Sequence, residues 1–238
     1  MAIDPLTPGD QRLRDAAYQI AILDSWVRSM EALPDSPKTM YGKWVALSLM
    51  KSSRRAYYHM CRSWRRDTTH IAWGCRNLVE LSVFAKYVAQ SPANLMRFVE
   101  DAGVDESHTA TALLKLVENA PTSEAGEKAK QALLANVAVM RSASSFQGKQ
   151  YLQVMNIARE LGFEDKLFAV HKLCSKLIHP TAQSILQVDR EQQDERDAYL
   201  IFGINYLVGI MSDLIPLMIQ LRKLAGIEPA FYAVDRSP

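Results

Sequence analysis

The sequence predicts an all-α fold, a multi-helix bundle, on three observations. Nearly every segment spaces its apolar residues at intervals of three and four. No segment sustains the alternation of Val, Ile, Thr and aromatic residues, closed by turn residues, that marks a strand. Prolines, glycines and capping residues cut the chain into pieces of helical length. With 48% apolar and 23% charged residues over 238 positions, the chain has the apolar surface for a sizeable core without covalent staples.

The elements follow in order. After the Pro5 to Pro8 lead, "DQRLRDAAYQIAILDSWVRSMEAL" (10–33) reads as a first helix with Leu13, Ala17, Ile20 and Leu23 or Asp24 on one side, stopped by Pro34 and Pro37. A second helix spans about Thr39 to Trp64, with Val45, Leu49, Ala56, Met60 and Trp64 placed for the core. Asp67 or Thr68 suits the cap of a third helix, which runs to Ser91 before Pro92. The middle reads as three shorter helices, with breaks at Gly103, at Pro121 and in "SASSFQGK" (142–149). From Tyr151 a short helix reaches Leu161, where Gly162 suits a C-cap. "EDKLFAVHKLCSKLIH" (164–179) should end before Pro180, and a long last helix covers about Glu195 to Leu224. We read a single domain: an N-terminal helix within 1–37, a bundle core over 38–225 and a tail at 226–238.

Composition narrows the setting. The first 20 residues carry early charges and two prolines and lack the apolar stretch of a signal peptide. Cys61, Cys75 and Cys174 are widely spaced and form no metal-ligand pattern. A cytoplasmic location with no cofactor, no metal and no membrane partner is the expectation. The longest apolar run, 198–212, lies between Asp197 and Asp213 and is short against the roughly 20 residues of a spanning helix. It reads as a core helix.

Charge is unevenly placed. Net charge is +2, yet residues 36–66 hold eight of the 28 Lys and Arg residues and no acid. On the second helix Lys51, Arg55, Arg62 and Arg66 recur at multiples of about one turn, with Arg54, Tyr58 and Arg65 on the adjoining strip. A basic face with Trp44, Tyr57 and Tyr58 beside it is the pattern that contacts phosphate and stacks on bases, so these residues are the nucleic-acid-binding candidates and RNA the candidate partner. The alternative is that the basic residues pair with the acidic stretches at 100–106 or 189–197.

Two further groups carry potential chemistry. Arg76 and Glu80 stand one turn apart on the third helix, the spacing of an ion pair that can anchor a site. In "VHKLCSKLIHPT", His171, Ser175 and His179 fall at i, i+4 and i+8 beside Lys176, one stripe suited to holding a phosphate or moving a proton, and the helix C-terminus favours a protonated imidazole at His179. A further pair, Arg65 and His70, has Arg-x4-His spacing, but Asp67 as a helix cap would break the face between them.

With "CRNLVEL" on one helix and "HKLCSKLIHPT" at the end of a later one, residues 40 to 225 resemble bacterial all-α proteins of the HEPN superfamily, the higher eukaryote and prokaryote nucleotide-binding domains. The matching positions are Arg76, Glu80, Ser175 and His179. The resemblance implies a helical bundle, frequent homodimerisation, and metal-independent ribonuclease activity in toxin or phage-defence systems. These matches, together with His171 and Lys176 from the same helical stripe, make His179, His171, Ser175, Lys176, Arg76 and Glu80 the catalytic candidates, His179 first among the histidines, with Arg65 and His70 as the alternative. A second reading is a non-catalytic module whose apolar last helix, 198–221, docks a second copy or a partner protein of the same defence system.

Overall fold

The computed structural model describes residues 8–64, 67–118, 123–143, 152–178 and 193–227. Among them there is no strand, and the fold is an all-α multi-helix bundle. The helices are α1 (Pro8–Glu31), α2 (Met40–Ser63), α3 (Thr68–Gln90), α4 (Pro92–Glu118), α5 (Glu124–Ala143), α6 (Val154–Glu160), α7 (Glu164–Ile178) and α8 (Gln193–Leu224). They fall into two compact units, one of residues 1–91 with 154–238 and one of residues 92–153.

In the larger unit α3 is central, packed against α2, α6, α7 and α8, while α8 also lies along α2 and α1. Its core is built from Leu23 and Met30 of α1, Met50, Tyr57 and Met60 of α2, Ile71 and Leu78 of α3, and Leu200, Leu207 and Ile210 of α8. Glycine permits the closest crossing. A Cβ at Gly203 would lie 2.6 Å from Met60 Cε, and one at Gly74 would overlap Met60 Cγ, so the Met60 side chain fills a slot that α3 and α8 open for it. Trp64, buried at the end of α2, donates from Nε1 to Asp197 at 2.8 Å and ties α2 to the start of α8.

Capping sets the boundaries that position the site. The Asp67 carboxylate accepts from the Thr69 and His70 backbone N–H groups and starts α3, as a capping residue should. Gly162, at φ 70°, closes α6 by the expected left-handed turn. Phe163 N–H bonds the Ala158 carbonyl at 2.7 Å and Gly162 N–H that of Arg159.

Several expectations change. α1 buries Leu23, Val27 and Met30 and half-buries Ile20, while Ala17, expected on the same side, is exposed; the Leu13 side chain lies outside those described. In the smaller unit α4 runs through Gly103 without a break. The roughly 1 kcal/mol that an interior glycine costs is small beside the helix-forming residues on either side. Asp101, in the same helix, accepts from Leu152 N–H at 2.6 Å. Pro121 and residues 144–149 lie outside the described residues. The last helix covers the span expected of it: α8 runs on past Asp213 and through Pro216 to Leu224, one face in the core and the other exposed. Among the described residues this is the one helix long and apolar enough by composition to cross a membrane.

Candidate active site between α3 and α7

Arg76, Glu80, His171 and Ser175 meet where α7 packs on α3. Arg76 Nε donates to Glu80 Oε1 at 3.0 Å, and the same oxygen lies 2.9 Å from His171 Nε2. Arg76 Nη1 reaches the Ser175 hydroxyl at 3.4 Å. Helix periodicity explains the convergence: each pair stands one turn apart on its own helix, so two pairs on facing helices form a square. The side chains of Arg76, Glu80 and His171 are 26%, 28% and 26% exposed, placing the cluster at the rim of the interface, where a ligand can reach it. With the carboxylate accepting from Nε2–H, the lone pair of the neutral imidazole sits on Nδ1.

Directly beneath lies a feature that sequence reasoning passed over. Cys75 precedes Arg76 and Cys174 precedes Ser175, so the helix alignment that joins the polar residues also joins the thiols, both buried. The hydrogen bond between the thiols, and then burial, hold Cys75 in its protonated form, well above the usual thiol range. Tyr206 of α8 faces the same layer, and burial, followed by the two cysteines, raises its phenol. The signal was the adjacency of each cysteine to a site residue.

The other candidates are placed as follows. Lys176 is exposed on α7, while His179, Arg65 and Arg66 lie outside the described residues. The His70 ring faces solvent, 66% exposed, with Nδ1 2.5 Å from Asp67 Oδ2. Burial pushes the Asp67 carboxyl up, but the bonds from the His70 side chain and from the His70 and Thr69 N–H groups outweigh it and hold the group below its ordinary range. α2 ends at Ser63 and α3 begins at Thr68, so no continuous helical face joins His70 to α2.

On α2, Lys51, Arg54, Arg55, Tyr58 and Arg62 are all exposed, as is Trp44, but Tyr57 is fully buried and belongs to the core. Among the described residues, Lys51 and Arg54 of this face find their acidic partners on α1. Lys51 pairs with Glu31 at 2.6 Å and Arg54 with Asp24 at 2.5 Å. Asp24 and Glu31 are seven residues apart, two turns of one α1 face, whereas Lys51 and Arg54 are three apart, so the reach of the long basic side chains makes up the difference. Among the described residues no group of three or more His, Cys, Asp or Glu side chains is arranged to hold a metal ion.

The chain matches no protein-family profile, no curated protein and no solved structure. Its functional reading therefore rests on the geometry of this cluster.

Proposed function

We propose that this chain is an RNA-binding protein that cleaves RNA without a metal, a HEPN-like endoribonuclease of a bacterial toxin or phage-defence system, with its chemistry at the α3–α7 cluster. The observation that carries the reading is the shared Glu80 oxygen, which holds both Arg76 and His171. A carboxylate on Nε2 fixes the tautomer and leaves Nδ1 as the base. In the proposed step Nδ1 takes the 2′-hydroxyl proton and the 2′-oxygen attacks phosphorus. The bond to the 5′-oxygen then breaks, leaving a 2′,3′-cyclic phosphate, and the 5′-oxygen takes a proton from solvent. The Arg76 guanidinium and the Ser175 hydroxyl supply donors for the pentavalent phosphate, the type of electrostatic stabilisation that dominates many enzymes. The exposed α2 face, led by Arg55 and Arg62, would guide the backbone of the strand.

The test is cleavage of total RNA in EDTA by wild type, His171→Ala, Glu80→Gln, His70→Ala and His179→Ala. His171→Ala should lose about 10²- to 10⁴-fold in rate, the range for an acid–base group. His70→Ala should match wild type. Unchanged cleavage by His171→Ala, or loss confined to His179→Ala, moves the chemistry away from this cluster. A wild type that neither cleaves nor binds RNA ends the reading.

A further inference from the structure

α8 is amphipathic in an unusual sense, because both of its faces are apolar. Leu200, Leu207, Ile210 and Leu214 are fully buried against the rest of the unit, yet Ile201, Phe202, Val208 and Ile215 on the other side are between 39% and 41% exposed. A helix that only covers a core turns a polar face to water. Here the outward residues recur in sevens: Ile201, Val208 and Ile215 form one line, and Asn205, Ser212 and Ile219 form another, four residues on. That is the seam of a two-helix coil, and none of its positions from Ile201 to Ile219 is charged, Asp213 lying off both lines.

Two backbone features flank this seam, and the chain's own packing accounts for neither. Gly209 sits in the middle of the helix, where glycine costs about 1 kcal/mol relative to alanine. Cβ atoms at Gly42, Gly74 and Gly203 would run into Leu221 or Met60, whereas one at Gly209 would meet nothing within 4 Å. Pro216 is also inside α8 and has no N–H for the carbonyl four residues earlier, that of Ser212. The outward face thus has a place for close backbone approach and, beside it, a free acceptor.

We propose that two copies of this chain pair through this face, α8 against α8, antiparallel about a two-fold axis near Gly209 and Ile210. Direction follows from size. In an antiparallel pair the two lines pack on each other, so Val208 faces Ser212, Ile215 faces Asn205 and Ile201 faces Ile219 of the second copy, large against small at the centre. A parallel pair would stack small on small and put branched residues where two-stranded parallel coils prefer leucine. The antiparallel register also brings the Asn205 amide of one copy beside Ser212 of the other, whose unbonded carbonyl can accept from it. A bilayer would leave both polar groups without partners, which favours a second copy as the occupant. This inference goes beyond the RNA reading and does not need it.

Light scattering on the full chain should give twice the monomer mass at micromolar concentration. Gly209→Leu should be monomeric with undiminished helicity and thermal stability, because its own fold leaves the space open. Mixing Asn205→Cys with Ile215→Cys chains under mild oxidation should cross-link them. Asn205→Cys alone should not self-link through position 205, since ten residues of offset hold those positions about 15 Å apart. A monomeric wild type, a dimer that survives Gly209→Leu, self-linking of Asn205→Cys at that position, or capture by phosphatidylcholine vesicles in place of pairing would each overturn the proposal. RNA cleavage by a monomer would overturn it while leaving the proposed chemistry intact.

Discussion

Asp213 shows how a single carboxyl can work against the fold that contains it. It sits part-buried on α8, and burial raises its carboxyl above the ordinary range, with the Lys86 charge opposing but not cancelling the shift. An acid whose folded pKa is raised binds its proton more readily in the folded state, so folding is penalised at neutral pH and relieved as pH falls through the folded pKa. Asp213→Asn removes the charge at every pH. It should therefore melt above wild type at neutral pH, and the gap should narrow as the pH falls into the carboxylate range, as followed by thermal unfolding monitored by circular dichroism. A gap that widens on acidification would reverse the assigned sign. Asp67 lies on the opposite side of this balance: its folded pKa is lowered, so its contribution is present above the unfolded value and is lost in acid.

At the scale of elements, the α2–α3–α8 crossing depends on glycine in a way that helix propensity opposes. Gly74→Ala should gain up to about 1 kcal/mol in propensity, but the new Cβ meets Met60 Cγ, near the root of that side chain, and lies 3.0 Å from the Ala56 carbonyl oxygen. Overpacking of this kind costs about 1–3 kcal/mol, so the variant should unfold at lower denaturant with an unchanged m-value; equal or higher stability would mean that α2 and α3 can separate freely. Such crossings explain what the sequence made legible. The α2 core stripe from Val45 to Trp64 and the Asp67 cap could be read from spacing and capping alone, because both are local. The burial of Tyr57 and the α1 partners of Lys51 and Arg54 depend on how helices cross, which no single helix encodes. The cluster falls between these cases. Its two pairs were visible as helical neighbours, Arg76 with Glu80 and His171 with Ser175, but their meeting required α7 to pack on α3 in one register.

For the molecule as a whole, the charge that matters to a polyanion is what remains after the fold has paired its own. Residues 36–66 hold eight basic side chains and no acid, yet α1 lays Glu31 against Lys51 and Asp24 against Arg54. Arg55 and Arg62 have no such partner among the described residues. If the α2 face binds RNA, these four positions should differ. Replacing Arg55 or Arg62 with alanine should weaken binding and reduce the slope of log affinity against log salt by about 0.7 each, the counterions released per contact with a single strand. Lys51→Ala and Arg54→Ala should change it less, because each already spends part of its charge on α1. Removing the acids should do the reverse, with Asp24→Asn and Glu31→Gln tightening binding and steepening the slope. Titration of a labelled single strand at several salt concentrations measures all six variants on one scale. Equal losses at Lys51, Arg54, Arg55 and Arg62 would show that the α1 pairs yield to phosphate, and that the face acts as a uniform basic surface.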